Sequence, residues 1–140
     1  AFRIKGISHI TFICKDLEKT TRMLKEMFDA EEIYSSGEKT FSITKEKFFN
    51  VAGFWIAIME GEPIEKSYNH IAFQVSDKDI DSLAEKAKAL GLEVLPSRSR
   101  HNEEGSSLYF YDYDNHLFEL HSGDLDTTLK FYNSNQSNNA

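Results

Sequence analysis

Apolar and polar residues alternate with a period of two over SHITFICKD (Ser8 to Asp16) and again over NHIAFQVSD (Asn69 to Asp77). Both stretches fit H-I-x-F-x-x-x-D without a gap. Such alternation predicts strands with two unlike faces. Each block ends on an Asp, a good helix N-cap. The period then becomes helical, with Leu17, Leu24, Met27 and Phe28 after Asp16, and Ile80, Leu83, Ala84, Ala87 and Leu90 after Asp77. Gly91 closes the second run as a C-terminal stop.

Strand-like segments follow in both halves: EEIYSS, KTFSIT with KFFNVAG, and FWIAIMEG, then LEVLPS, SSLYFYD and HLFELHSG. FWIAIMEG and HLFELHSG align without a gap, Gly61 on Gly123. The repeat predicts an α+β chain of two βαβββ modules, residues 1–62 and 63–125, within one compact domain. Residues 126–140 form a C-terminal segment, and its Asn/Ser-rich end from Asn133 predicts a disordered tail. One helix covers only one face of a four-stranded sheet. Two such sheets side by side are expected to form a cup-shaped mixed sheet with helices outside and a cavity within. The modules either pair within the chain or are exchanged between two chains.

Alternation also assigns the faces. In the first strand Ile10, Phe12 and Cys14 oppose His9, Thr11 and Ile13. In the fifth, Ile71, Phe73 and Val75 oppose Tyr68, His70, Ala72 and Gln74. In the seventh, Leu108 and Phe110 oppose Ser107, Tyr109 and Tyr111; in the eighth, Phe118 and Leu120 oppose Leu117, Glu119 and His121. One face of each strand is apolar and suits a helix. The other mixes polar and apolar groups, as a binding cavity does.

Glu119 stands between Phe118 and Leu120, and a carboxylate on an apolar strand is costly unless paired with a lysine, an arginine or a metal. His9 and His70 occupy equivalent places in the repeat, and the equivalent of Glu119 is Ala57. Four symmetric places thus carry His, His, Glu and Ala. Taken singly, a strand histidine is an ordinary hydrogen-bonded core residue. Two of them converging with a carboxylate, beside an empty fourth place, predict a catalytic divalent metal held by His9, His70 and Glu119. His121 is the rival ligand; its repeat mate is Met59, so it is expected behind the ligands or lining the cavity. His116 at a turn and His101 in a polar loop are expected to be solvated, and Cys14 to be buried.

Charge narrows the partners. The chain of 140 residues carries 16 Lys and Arg against 23 Asp and Glu, a formal charge of −7. This argues against a nucleic-acid or anionic-membrane partner, which needs a basic face, but leaves room for a small anionic substrate. No apolar run approaches the roughly 20 residues of a membrane span. AFRIKGISH has no secretory pattern, and a single cysteine forbids an intrachain disulfide, so a cytoplasmic location is the expectation.

The repeat with His, His and Glu in these strands resembles the vicinal-oxygen-chelate (glyoxalase/bleomycin-resistance/dioxygenase) superfamily. Within it, SSGEKTFSITKEKFF, SYNHIAFQV and YFYDYDNHLFELHSG resemble fosfomycin-resistance proteins of the FosX type, metal-dependent epoxide hydrolases. The resemblance runs from Gly6 to about Leu129. It implies Mn(II) as the metal, and a homodimer with exchanged modules, His9 coming from one chain and His70 with Glu119 from the other. It implies Glu46, the glutamate of TKEKFF, as general base, and Thr11, Tyr68, Ser107 and Tyr109 as substrate-site residues. All four also fall on the mixed faces assigned above. The substrate implied is fosfomycin, a small anionic epoxide, and the outcome is its hydration.

The chain departs from that pattern at two places. Thr128 and Ser106 stand where such proteins carry arginines that hold the phosphonate, a contact neither residue can replace. Arg98, Arg100 and Lys130 are nearby in sequence and offer compensation. Three alternatives stay open: thiol transfer to the same epoxide, extradiol dioxygenation of a catechol with Fe(II), and drug sequestration without chemistry. Glu46 favours water over thiol.

Overall fold

The computed structural model describes residues 3–38, 44–96 and 105–138. Contacts divide the chain into two units: Ala1–Glu65 with Tyr113–Asn115, and Lys66–Asp112 with His116–Ala140. The first contains β1 (His9–Cys14), α1 (Leu17–Phe28), β2 (Glu31–Ser35), β3 (Glu46–Val51) and β4 (Phe54–Glu60). The second contains β5 (His70–Gln74), α2 (Ile80–Ala89), β6 (Glu93–Val94), β7 (Ser107–Tyr111), β8 (Leu117–His121) and α3 (Leu125–Asn138). The sheet orders are β1-β4-β3-β2 and β5-β8-β7-β6. In each, the first strand pairs in parallel with the last, and the remaining pairs are antiparallel. The chain is thus α+β with two mixed βαβββ sheets, as the repeat predicts.

In the first unit the expected cap forms: Asp16 is extended (φ −129°) and its carboxylate accepts the Lys19 N–H at 3.0 Å. The helix ends at Asp29, whose left-handed φ of 52° lets the Ala30 N–H reach the Leu24 carbonyl at 3.3 Å. Between these stops α1 buries Met23, Leu24, Met27 and Phe28 above Cys14, Phe49, Ile56 and Ile58. Each such side chain contributes about 1.5–3 kcal/mol when fully buried. Lys47 also lies on this buried face, where its Nζ meets Glu18 at 2.9 Å and Glu32 at 3.1 Å and so ties the helix to β2 and β3. Burial works to lower the Lys47 pKa, but the two carboxylates outweigh it and the net shift is upward.

The second unit differs at its helix start. Asp77 does not cap α2; Asp77–Asp79 form a 3₁₀ turn, and the Asp77 carboxylate instead accepts the Ser122 hydroxyl at 3.2 Å. A distant hydroxyl competes with the helix N-terminus for this side chain. Gly91, at φ +77°, stops the helix as expected, with the Leu92 N–H on the Ala87 carbonyl at 3.0 Å. Ala87, Leu92, Leu108, Phe110, Phe118 and Leu120 make this core.

Other departures from the sequence expectation have local causes. LEVLPS pairs only through Glu93–Val94, plus the Leu95 N–H on the Tyr109 carbonyl at 2.9 Å, before Pro96 ends the supply of donors. Of KTFSIT, residues 39–43 lie outside the described residues, as do Arg98, Arg100 and His101. His116 is not solvated: its side chain is 10% exposed and its Nδ1 meets the Asp112 carboxylate at 2.9 Å, inside a hairpin closed by the Asp112 N–H on the His116 carbonyl. The C-terminal stretch from Asn133, expected to be disordered, is helical to Asn138 as the end of α3. That helix is nucleated upstream, where Asp124 accepts the Thr127 N–H on its side chain and the Thr128 N–H on its carbonyl.

Candidate metal centre

Ladder register decides which side chains share a face. In the first sheet His9 stands opposite Trp55, Thr11 opposite Ala57, Phe48 opposite Ala57 and Glu46 opposite Met59. In the second, His70 stands opposite Leu117, Ala72 opposite Glu119, Tyr109 opposite Glu119 and Ser107 opposite His121. His9, Thr11 and Glu46 therefore share the first sheet's open face, and His70, Ser107, Tyr109 and Glu119 the second's. Tyr68 lies just before β5, with its ring 4.9 Å from that of His70 and 6.1 Å from that of Tyr109.

The second sheet brings two of the expected ligands together. The Nδ1 of His70 lies 2.7 Å from the carbonyl oxygen of Tyr68. A carbonyl only accepts, so Nδ1 carries a proton, and in the neutral ring Nε2 carries the lone pair. That lone pair lies 3.2 Å from Oε1 of Glu119, a residue only 7% exposed. Two electron-pair donors this close repel unless a proton or cation lies between them. A hard carboxylate oxygen, with an imidazole nitrogen whose far side is fixed by a carbonyl, is a donor set that fits a divalent first-row ion.

The other carboxylate oxygen is already engaged. Oε2 of Glu119 accepts the Ser107 hydroxyl at 2.6 Å, and the same Ser107 Oγ lies 2.7 Å from Nδ1 of His121. The opposition of Ser107 and His121 depends on a close backbone approach. At Gly105, with φ +87°, an added Cβ would stand 2.7 Å from the Gly123 nitrogen. Beside it the Ser106 N–H donates to Ser122 Oγ at 2.8 Å, joining the start of β7 to the end of β8. Tyr109 completes the surroundings. Burial pushes its phenol well above the ordinary value, reinforced by hydrogen bonding with Tyr68 and by the negative charge of Glu119, so it remains a proton donor.

On the first unit's open face, His9 has Nδ1 2.9 Å from Ser8 Oγ, and its ring stacks on Trp55 at 4.1 Å. Glu46 is half-buried, its N–H donating to Ser36 Oγ at 3.0 Å and its carbonyl accepting the Ser36 N–H. Glu46 also lines a concavity of about 660 Å³ beside the start of α1, shared with Asp16, Glu18, Lys19, Lys45 and Lys47 but not with His9 or Thr11. Among the described residues no group of three or more His, Cys, Asp or Glu side chains capable of holding a metal forms. Thr128 lies on α3 and Ser106 at the foot of β7.

Trp55, Ser107 as a link, and His121 as its partner were not assigned these contacts by sequence reasoning. The signal for Trp55 was present, since an aromatic on the same ladder rung as His9 has few other places to put its ring. The His121 contact needs the β7–β8 register, which the repeat does not supply.

Comparison with known proteins agrees with this fold. Residues 6–120 match the family model described as Glyoxalase/Bleomycin resistance protein/Dioxygenase superfamily. The chain is 62% identical over 130 residues to the fosfomycin resistance protein FosX of Listeria innocua, covering 92% of this chain and 98% of that protein. It is 53% identical over 127 residues to FosX of Mesorhizobium japonicum, covering 90% and 91%. Among solved structures, a mutant of FosX from Listeria monocytogenes, complexed with Mn(II) and 1S,2S-dihydroxypropylphosphonic acid, superposes with a TM-score of 0.83. It is 57% identical and covers 92% of this chain and 98% of that one. The chain belongs to the glyoxalase/bleomycin resistance protein/dioxygenase superfamily and, within it, to the FosX family of fosfomycin resistance proteins.

Proposed function

We propose that this protein inactivates fosfomycin by adding water across its epoxide, in the presence of a divalent metal, Mn(II) by preference. The observation that carries this is Nε2 of the exposed His70 set 3.2 Å from the buried carboxylate of Glu119. The related Listeria protein was crystallised with Mn(II) and a dihydroxypropylphosphonic acid. A vicinal diol of that kind is what water addition to an epoxide yields.

His9, His70 and Glu119 are proposed as the metal ligands. A divalent ion held there supplies Lewis-acid stabilisation of the negative charge that develops on oxygen as the ring opens. Glu46 is proposed as the general base. Its carboxylate takes a proton from water as the water oxygen bonds to a ring carbon; the ring C–O bond breaks, the alkoxide takes a proton from solvent, and Glu46 gives its proton back to solvent, leaving the diol. Thr11, Tyr68, Ser107 and Tyr109 are proposed to face the substrate, with Tyr109 kept as a phenol that donates to an anionic oxygen.

The ligand set also motivates an assembly. The resemblance noted above, together with one histidine on the first unit and a histidine and carboxylate on the second, supports a homodimer that exchanges modules 1–62 and 63–125. The reading sets the reaction in the cytoplasm, where Cys14 stays reduced.

Phosphorus and proton NMR of fosfomycin incubated with the purified protein and Mn(II), without thiol, tests the function. The expected product is 1,2-dihydroxypropylphosphonate. Unchanged fosfomycin sinks the proposal, and conversion only after a thiol is added replaces hydration with thiol transfer.

A further inference from the structure

The metal reading above leaves two residues unexplained: why His121 should face Ser107, and why the Ser107 hydroxyl should turn away from solvent. The inference here rests on that reading and concerns how Glu119 is held.

Ser107 has one hydroxyl proton. Its Oγ lies 2.6 Å from Oε2 of Glu119, and an ionised carboxylate only accepts, so the proton goes there. The contact of 2.7 Å between Ser107 Oγ and His121 Nδ1 must then run the other way, with the imidazole N–H donating to the serine oxygen. The direction of the chain is thereby determined: His121 donates to Ser107, and Ser107 donates to Glu119. The His121 ring nitrogen is itself 3.5 Å from Oε2, beyond a good hydrogen bond, so the serine is the link. Each bond in such a chain polarises the next.

We propose that His121 and Ser107 form a positioning relay that commits one oxygen of Glu119 to the protein and presents the other, Oε1, beside His70 to the cation. Glu119 then offers a single oxygen to the metal rather than both. Ser107 acts first as a positioning residue, because its only proton is spent on the carboxylate and cannot also be given to an anionic substrate. The relay has no counterpart in the first sheet, where Glu46 stands opposite Met59. It therefore belongs to the carboxylate, not to the fold.

Mn(II) affinity, read from loss of the free-ion EPR signal, is the test. It is measured on the purified full chain and on His121→Ala, Ser107→Ala, the double variant and His121→Asn, each checked for folding by circular dichroism. Outer partners of a metal ligand typically carry about 10–100-fold in affinity. His121→Ala and Ser107→Ala should each weaken Mn(II) by about that range. The double variant should be no weaker than Ser107→Ala alone, since both changes cut one chain. His121→Asn, which retains an N–H at the Nδ1 position, should return affinity to near that of the unaltered protein.

Unchanged affinity in His121→Ala overturns the relay, as does His121→Asn binding as weakly as His121→Ala. Losses that multiply in the double variant overturn it too. If Ser107→Ala fails to fold, the two His121 variants decide. Failure of the unaltered protein to bind Mn(II) would instead remove the metal reading, and the relay with it.

Discussion

Nε2 of His70 lies 3.2 Å from Oε1 of Glu119, while Nδ1 of the same ring is held 2.7 Å from the carbonyl of Tyr68. The backbone thus sets the tautomer of the neutral ring and turns Nε2 toward the carboxylate. Removing either partner should abolish tight metal binding. His70→Ala and Glu119→Ala are expected to weaken Mn(II) by more than about 100-fold, beyond what outer partners carry. A ligand that binds only the folded state raises its stability, by about 2.7 kcal/mol at a hundred times its Kd. Calorimetry should therefore show Mn(II) raising the Tm of the unaltered protein but not of these variants. An equal rise in all three would contradict the assignment.

Glu46 is proposed to move a proton and not to hold the metal. Glu46→Gln should bind Mn(II) normally and lose about 10²–10⁴-fold in kcat for fosfomycin hydration, the usual contribution of a positioned base. Steady-state kinetics alongside metal analysis checks this. A fully active Glu46→Gln dismisses the residue as base, and loss of metal reassigns it as a ligand.

The resemblance implies phosphonate-holding arginines at the places that Thr128 and Ser106 occupy here. Thr128→Arg should lower KM for fosfomycin with little change in kcat, by about tenfold, the size of one charge-assisted hydrogen bond. The measurement is a substrate titration at saturating Mn(II). A KM that is unchanged, or higher, means this chain grips the anion through other groups.

Lys47 makes a pH-dependent contribution to stability. Its folded pKa is raised above the ordinary 10.5 by Glu18 and Glu32 acting against burial. The stabilisation is therefore fully present below pH 10.5 and is lost as pH rises through the higher folded value. Lys47→Met should destabilise by about 1.5 kcal/mol at pH 7, the scale of one hydrogen bond between charged groups. In urea melts the gap between the two proteins should shrink as pH climbs past the Lys47 transition. A gap that stays constant assigns the effect to packing.

Much of this architecture could be read in the chain before any coordinates. Period-two alternation put His9 and Thr11 on one face of β1 and Cys14 on the other, and Cys14 is fully buried. The gapless match of FWIAIMEG to HLFELHSG set Ala57 against Glu119, and the ladders place them on equivalent rungs, beside Thr11 and Ala72. What escaped was contact between groups distant in sequence. Asp77 and Asp16 look alike as caps, yet only Asp16 caps, because a hydroxyl 45 residues away claims Asp77. His116 looked like a turn residue in water, but Asp112 four positions earlier captures its ring. The tail's composition argued for disorder, whereas capping at Asp124 lets the helix run on into it. Periodicity reports which way a side chain faces, not what it meets there.

Glu46 and Ser107 occupy matching rungs of their ladders, one opposite Met59 and the other opposite His121. The first sheet has Ala57 at the place where the second has Glu119, and it carries a carboxylate at Glu46 where the second carries the Ser107 hydroxyl. Under the proposed roles the first sheet supplies the base, and the second surrounds Glu119 with donors that hold it still. Division of labour between twins of this kind lets catalysis be retuned on one side without disturbing the anchorage on the other.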